Sequence, residues 1–232
     1  MAQRLIEDSL LALRRAHPWP ERNDWAVIPP WPYALGGGGR ELVDAIIRVS
    51  RPRLMVEIGV FLGASTKRWL DISPRLTVIG IDPWDELRLI PQCRRYVGRP
   101  ALTRAYPDPE MQERFAVDIA ANGVRLTALS LLRPYRDRFI PMQATSPDGL
   151  HEIAATGLKP DLVYIDADKK AEDLEAAHRL WPEAIIAGDD WHWGRTKGYP
   201  MRRVVEEFAA KNGFAITADH GTWVLTRQGL TA

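Results

Sequence analysis

The sequence has few of the features that mark secreted, membrane-spanning or disulfide-bonded proteins. Its 232 residues include one cysteine, Cys93, so an internal disulfide framework is excluded and a reducing compartment suits the chain. The N-terminus lacks a basic region followed by an apolar core. No apolar run approaches the roughly 20 residues that span a bilayer. We therefore expect a cytoplasmic protein without a signal peptide and without membrane contact.

The sequence also lacks an excess of either charge. Its 31 basic and 30 acidic residues leave a formal net charge of +1, which gives no global attraction to nucleic acid. We expect a small molecule as the partner and no nucleic acid. Tryptophan, by contrast, is abundant, with nine residues. Several of them fall in predicted loops, where a tryptophan more often shapes a pocket than fills a core.

Short apolar runs alternate with segments of helical periodicity, a pattern that predicts an α/β protein with a doubly wound sheet. The last two predicted strands are separated by only three residues, which is too few for a parallel crossover, so they form an antiparallel hairpin at one edge. We predict a seven-stranded, mostly parallel sheet. Its strands are expected at 53–58, 76–81, 138–142, 161–165, 184–187, 213–218 and 222–227, and its helices at 2–16, 40–50, 64–71, 109–121, 147–156, 170–180 and 200–211.

Two segments fall outside this alternation. Residues 1–39 are predicted to form an N-terminal helix and a covering arm, ahead of a main domain over 40–232. The arm carries Trp25, Trp31 and Tyr33, which would close over a ligand or bury a dimer contact. Residues 84–106 are predicted as an irregular insertion, either a functional lid or a disordered loop. The arginines of this insertion form a solvated face or attract an anionic ligand.

A glycine-containing loop follows the first predicted strand. Gly59 and Gly63 bracket a turn, and Ser65 lies at the start of the next helix with residues suited to N-capping. Such glycines let the backbone approach a nucleotide-like ligand, whose carboxylate meets the N–H groups at the helix start. Val60 replaces the second glycine of the dinucleotide fingerprint, which disfavours a nicotinamide-dependent oxidoreductase. Taken alone, the loop has a simpler alternative explanation as a tight strand-to-helix turn.

The second predicted strand strengthens the ligand interpretation. It ends in Asp82, where a carboxylate can accept hydrogen bonds from both ribose hydroxyls of an adenosine. Trp84 follows two residues later and could stack on the adenine or on an aromatic acceptor, although packing beneath a loop is an equally good explanation.

Acidic residues end two further strands. One finishes in Asp166, Asp168 and Lys169, and the next in Asp189 and Asp190. Parallel strands place these ends at the same edge of the sheet, so the carboxylates are expected to lie close together. Uncompensated carboxylates raise one another's pKa, and a divalent cation would neutralise them. Oxygen ligands favour Mg²⁺, with Ca²⁺ or Mn²⁺ as alternatives. Helix caps and a turn would explain the same residues without a metal.

The loop at 56–66 and the Gly-Ile-Asp of the second strand resemble the first two motifs of class I S-adenosylmethionine-dependent methyltransferases. The loop is most similar to that of the cation-dependent O-methyltransferases acting on catechols and caffeoyl esters. The resemblance implies a Rossmann-like methyltransferase fold with S-adenosylmethionine as the cofactor. The donor-binding residues implied by this resemblance and by the positions above are Glu57, Gly59, Gly63, Ser65, Asp82, Trp84, Thr145, Ser146 and Asp166.

The acidic strand ends are similar to the metal and base motifs of the same enzymes. The resemblance implies Asp166, Asp189 and Asp190 as metal ligands and Lys169 as general base. Those enzymes usually carry Asp-Asn at the second site. The Asp-Asp pair of this chain more closely resembles the corresponding pair of Mg²⁺-dependent sugar O-methyltransferases. In those enzymes an acid equivalent to Asp168 is the base candidate.

A third base candidate is His192, although a solvated loop histidine is the commoner case. Together these features predict a divalent-cation-dependent O-methyltransferase of a small hydroxylated metabolite: a catechol, a sugar or another natural product. A metal-independent methyltransferase and a non-catalytic S-adenosylmethionine-binding module are the alternatives. The resemblance also implies that the chain can form a homodimer.

Overall fold

A computed structural model of the chain describes residues 2–21 and 39–227. Within them seven short strands follow one another in the order that the sequence predicts. The strands are β1 (Leu54–Ile58), β2 (Thr77–Ile81), β3 (Phe139–Met142), β4 (Leu162–Ile165), β5 (Ile185–Gly188), β6 (Phe214–Asp219) and β7 (Thr222–Arg227).

The strands form one sheet with the order β3-β2-β1-β4-β5-β7-β6. The first five are mutually parallel, whereas β7 is antiparallel to both β5 and β6. The predicted α/β architecture with an antiparallel hairpin at the C-terminal edge is therefore confirmed. The strand order reverses between β1 and β4, and in open α/β sheets ligands bind beyond the carboxyl ends of the strands at such a point.

Helices cover both faces of the sheet. Ten lie in the described residues, together with two short 3-10 turns at Arg133–Tyr135 and Arg195–Lys197. The helices are α1 (Ala2–Ala16), α2 (Glu41–Ser50), α3 (Ala64–Ile72), α4 (Glu86–Arg94), α5 (Pro100–Ala105), α6 (Pro109–Asn122), α7 (Val124–Leu132), α8 (Asp148–Ala155), α9 (Ala171–Leu180) and α10 (Pro200–Asn212).

The central strand β1 is buried on both faces, as expected for the middle of a parallel sheet. Because side chains alternate along a strand, Val56 and Ile58 belong to one hydrophobic cluster and Met55 to another. Helices α8, α9 and α10 contribute to the first cluster, and α2, α3 and α4 to the second. The sheet is thus a rigid platform whose carboxyl edge carries the loops described below.

The prediction of an irregular insertion at 84–106 is wrong. The segment contains α4 and α5, and Cys93 and Leu102 are fully buried in the same cluster as Phe115 of α6. Asp85 caps α4 by accepting a hydrogen bond from the backbone N–H of Arg88. Five arginines and Pro91 obscured this helical pattern in the sequence, and α7 was not predicted either.

The predicted N-terminal helix is confirmed as α1, which packs through Leu13 and through a 2.9 Å hydrogen bond from the Ser9 hydroxyl to the Thr156 carbonyl. Trp25, Trp31 and Tyr33 lie outside the described residues, and the division of the chain at residue 39 stays a prediction. No single helix in the described part is long and apolar enough to cross a membrane; the bent pair Pro109–Asn122 and Val124–Tyr135 reaches the required length and composition only when taken together.

Candidate active site

A cavity of about 770 Å³ lies beyond the carboxyl ends of β1, β2 and β4. The glycine loop after β1 and the start of α3 form one wall, and α4 forms a second. The loops after β4 and β5 complete it with Asp166, Asp168, Lys169, Asp190 and Trp193. The structure therefore gathers residues from the predicted donor loop and from the predicted acidic strand ends around a single space.

The glycine loop approaches its neighbours closely. Gly59 has a φ of +90°, and a Cβ there would lie 2.0 Å from the carbonyl oxygen of Asp166. Gly63 is the N-cap of α3, with a φ of +79° and no side-chain cap. The helix N-terminus therefore opens toward the cavity beside Ser65, which lines it. The expected capping by the residues at 64–66 is wrong, because the Thr66 hydroxyl instead donates to Glu57.

Asp82 is held rigidly at the end of β2. Its Oδ2 accepts a hydrogen bond from the backbone N–H of Phe61 at 2.8 Å, and its Oδ1 accepts one from that of Trp84 at 2.7 Å. Burial raises the pKa of Asp82, and these backbone donors oppose the shift. Asp82 lines the cavity, and each carboxylate oxygen retains a second lone pair.

Glu57 and Trp84 are not among the residues that line the cavity. Glu57 is fully buried under the loop, and burial raises its pKa to about 8 while the hydroxyls of Thr66 and Ser65 oppose the shift. Trp84 is 1% exposed, and its indole N–H donates to the carbonyl of Phe61 at 2.9 Å. Both residues support the glycine loop from behind, and their direct contact with the donor stays a prediction.

Thr145 and Ser146 line the cavity after β3, as predicted. The Thr145 hydroxyl donates to Asp148 at 2.8 Å, and the Ser146 hydroxyl donates to Asp173 at 2.6 Å. These bonds fix the loop after β3 where it lines the cavity.

The carboxyl ends of β4 and β5 bring the acids together, as the sequence predicts. The backbone N–H of Asp166 bonds to the β1 end at 2.8 Å, and that of Asp189 bonds to the β4 end at 3.0 Å. One nitrogen of Arg40, Nη2, lies 2.8 Å from Oδ2 of Asp166 and 2.9 Å from Oδ2 of Asp189. Asp190 pairs with Lys169. The premise that these carboxylates lack compensating charges is therefore wrong.

Burial and the neighbouring charges both shift the pKa values of the groups in this cluster. Burial raises the pKa of Asp166, the neighbouring carboxylate of Asp189 raises it further, and Arg40 opposes both. Burial alone would lower the pKa of Arg40, but the groups of Tyr164, Asp166 and Asp189 raise it. Arg40 therefore stays charged. The sequence analysis did not identify this arginine as a residue of the site.

Arg40 precedes α2 and is only 5% exposed. Gly39, with a φ of +82°, turns the chain into the site, and the Thr222 hydroxyl of β7 donates to its carbonyl. The guanidinium lies 5.8 Å from the ring centroid of Tyr164. The C-terminal hairpin and β4 thus fix the position of the arginine.

The predicted magnesium site does not fit this arrangement. Among the described residues no group of three or more His, Cys, Asp or Glu side chains is placed to hold a metal ion. Asp166 and Asp189 face a guanidinium nitrogen, and Asp190 faces an ammonium group. The magnesium ligands implied by the resemblance therefore stay a prediction that the geometry does not support.

The three base candidates have different surroundings. Lys169 pairs with Asp190, donates to the Ala167 carbonyl at 2.6 Å and lies 5.7 Å from the ring centroid of Trp193. These are the contacts of a charged ammonium group. Asp168 lines the cavity with its side chain 58% exposed. His192 is exposed and is not among the lining residues.

Helix α4 and the turn after it supply lining residues that the sequence did not indicate: Leu89 and Gln92 of the helix, and Tyr96 of the turn. The Gln92 amide donates to the Tyr96 hydroxyl at 2.9 Å. Arg88, the one basic residue of the insertion that lines the cavity, lies 3.7 Å from Asp168. A helical assignment at 86–94 would have revealed this face, since Leu89 and Gln92 are three residues apart and both line the cavity.

Comparison with solved structures identifies the architecture. TomG, an O-methyltransferase from Streptomyces achromogenes involved in tomaymycin synthesis and solved with S-adenosylmethionine, is 19% identical, with a TM-score of 0.51 over 91% of this chain and 93% of TomG. This chain has the Rossmann-like methyltransferase fold. The O-methyltransferase from Bacillus cereus in complex with S-adenosylhomocysteine is 18% identical, with a TM-score of 0.48 over 96% of this chain and 90% of that chain. No family model and no curated protein matches the sequence.

Proposed function

We propose that the chain is an S-adenosylmethionine-dependent methyltransferase that acts on a small hydroxylated acceptor. The observation that carries the proposal is the cavity at the β1/β4 reversal, which joins an uncapped helix N-terminus, Asp82 and a set of acidic residues. The methyltransferase fold supports the same conclusion. In the proposed reaction one half of the cavity binds the methyl donor and the other half binds the acceptor.

The donor half has groups for the carboxylate and for the ribose of S-adenosylmethionine. The backbone N–H groups at the amino end of α3, beside Ser65, present hydrogen-bond donors for the carboxylate. Asp82 accepts hydrogen bonds from the ribose hydroxyls. Gly59 leaves room for the amino-acid part, because a side chain there would meet the backbone of Asp166. When bound, the donor supplies an electrophilic methyl group on a sulfonium.

The acceptor half has a polar floor and a partly apolar wall. Asp168, Lys169 and Asp190 face the cavity from the loops after β4 and β5, while Leu89 faces it from α4 and Tyr96 from the turn after α4. An acceptor with an apolar or aromatic body and a hydroxyl fits this division. Its O–H bond breaks as the O–CH₃ bond forms, the S–CH₃ bond breaks, and the proton passes to a base of the floor. Alignment of the two reactants is expected to supply much of the acceleration.

Among the base candidates, Asp168 has the most accessible carboxylate, whereas Lys169 must first leave its pairing with Asp190. We therefore favour Asp168, with Lys169 as the alternative. The pH dependence of turnover in Asp168→Asn and Lys169→Met separates the two. Loss of the acidic limb of the profile in one variant alone identifies the base, because a general base must be deprotonated to act.

Titration calorimetry tests the donor assignment directly. S-adenosylhomocysteine should bind wild-type protein and bind Asp82→Ala far more weakly, whereas NAD should not bind. Binding of NAD alone would refute the proposal. If S-adenosylhomocysteine binds but no acceptor from a panel of catechols, sugars and other hydroxylated metabolites is methylated, the chain is a non-catalytic binding module. Light scattering of the same samples tests the expected homodimer.

A further inference from the structure

We propose that Arg40 takes the place of a divalent cation at the edge of the sheet, so that the site works without a metal ion. The inference rests on the proposed function, because it concerns the charge that stabilises the acceptor oxygen. The structural observation behind it is that one guanidinium nitrogen lies between two carboxylates that the sequence pattern assigns to a metal.

The position of the nitrogen is the first argument. Nη2 of Arg40 lies within hydrogen-bond distance of one oxygen of Asp166 and one of Asp189, so a single atom bridges both side chains. A magnesium ion bridging the same oxygens would sit about 2.1 Å from each. Such an ion would occupy the space that the guanidinium now fills. Arginine and metal therefore exclude each other at this point.

The balance of charge is the second argument. The cluster contains the three carboxylates of Asp166, Asp189 and Asp190, and the chain itself supplies two cations, Arg40 and Lys169. Two positive charges equal the charge of one divalent ion. The acids are therefore compensated to the extent that a magnesium ion would achieve, and no further cation is needed for the folded state.

Arg40 is also held in one position by the surrounding structure. Its side chain is only 6% exposed, and the Thr222 hydroxyl and the left-handed Gly39 fix the backbone that leads to it. Surface arginines seldom hold one position, because their long side chains lose entropy when they pair. A buried arginine bridging two acids is strongly fixed, because its removal leaves buried charges unpaired.

Arg40 also lines the cavity, so the charge it carries faces the acceptor half. A fixed cation there stabilises the negative charge that develops as the acceptor hydroxyl loses its proton. The same stabilisation is what a metal ion supplies in a cation-dependent methyltransferase. Turnover by this protein is therefore expected to be resistant to EDTA.

Binding of Mn²⁺, followed by electron paramagnetic resonance, tests the inference without any assay of activity. Wild-type protein should leave Mn²⁺ free, whereas Arg40→Ala, which uncovers the carboxylates, should bind it at least about tenfold more tightly. Adding Asp189→Ala to Arg40→Ala should abolish the new binding. Arg48→Ala removes an exposed arginine of α2, the helix that Arg40 precedes, and should behave as wild type. Wild-type binding of Mn²⁺ that Asp189→Ala removes would overturn the inference.

Turnover in EDTA is the second test, and Arg40→Lys covers the case in which Arg40→Ala does not fold. Wild-type turnover should be unchanged by EDTA. Arg40→Lys keeps the charge but moves it to a compact ammonium on a shorter side chain, so it should retain binding of S-adenosylhomocysteine and lose about tenfold or more in kcat. Loss of wild-type turnover in EDTA, restored by Mg²⁺, would overturn the inference and leave the methyltransferase proposal standing. Absence of S-adenosylhomocysteine binding would instead refute the methyltransferase proposal.

Discussion

The two halves of the cavity differ in how far apart in the sequence their hydrogen-bonded residues are. In the donor half, Phe61 and Asp82 are 21 residues apart, and they join two adjacent strands through one hydrogen bond. In the acid half, Arg40 and Asp166 are 126 residues apart. The donor half is thus assembled from a local strand-helix-strand unit, whereas the acid half needs β4, β5 and β7 brought together with the segment before α2. Local sequence motifs can therefore predict the donor half. In the acid half they indicate the acids but not the arginine that pairs with them.

The largest effect is expected at Gly59, where the two halves meet. Gly59→Ala places a Cβ 2.0 Å from the Asp166 carbonyl oxygen and strains a φ of +90°. We expect a loss of about 4 kcal/mol or more in the free energy of unfolding, measured by urea denaturation. Gly157→Ala is the matched control, because it has a φ of +79° but nothing within 4 Å of the added carbon. Equal losses in the two variants would contradict the close contact.

The next largest effect is expected at Arg40 and belongs to the acid half alone. Arg40→Ala leaves Asp166 and Asp189 unpaired in a buried site, which should cost about 3–5 kcal/mol in the free energy of unfolding. Replacing one acid as well, in Arg40→Ala with Asp189→Asn, should recover part of that loss. A double-mutant cycle by urea denaturation measures the coupling. Purely additive losses would show that the arginine does not compensate the acids.

A smaller effect is expected at Asp82 and belongs to the donor half. Asp82→Ala removes the acceptor for the ribose and leaves the N–H groups of Phe61 and Trp84 unpaired. Affinity for S-adenosylhomocysteine should fall about 10- to 100-fold by calorimetry. Asp108→Ala removes an N-cap from α6 and should cost about 1 kcal/mol of stability without changing this affinity. Equal donor affinity in wild type and Asp82→Ala would remove Asp82 from the donor site.

The smallest effect is expected for Glu57→Gln at about pH 5, where it should change the free energy of unfolding by less than about 0.5 kcal/mol. Burial raises the pKa of Glu57 to about 8, so the folded chain holds a proton that the unfolded chain releases from about pH 4.5 upward. Wild-type stability should therefore fall as the pH rises through this window, and the variant should lack that fall. Parallel stability curves for the two proteins, from urea denaturation at several pH values, would contradict the raised pKa.

Much of the fold followed from the sequence because it depends on local patterns. Apolar runs predicted all seven strands, and the short connection at 219–221 predicted the antiparallel hairpin. Asp82 and the glycine loop also came from residues adjacent to strand ends. Parallel strand direction was enough to bring Asp166 near Asp189, because their strands are neighbours in the sheet.

The rest of the site depends on contacts that no local pattern encodes. Arg40 is unremarkable in the sequence, where it follows a run of glycines, and its role arises only from the approach of β4, β5 and β7. The prediction of a magnesium ion followed from counting acids without their distant partner. The lining face of α4 was missed because its arginines suggested an exposed loop.

A crystal structure grown with S-adenosylhomocysteine and Mg²⁺ tests the account most directly. It should show the ribose hydroxyls on Asp82, the donor carboxylate at the start of α3, and Arg40 between Asp166 and Asp189. Donor density outside this cavity would contradict the donor half. A magnesium ion bound by Asp166, Asp189 and Asp190, with Arg40 displaced, would contradict the acid half.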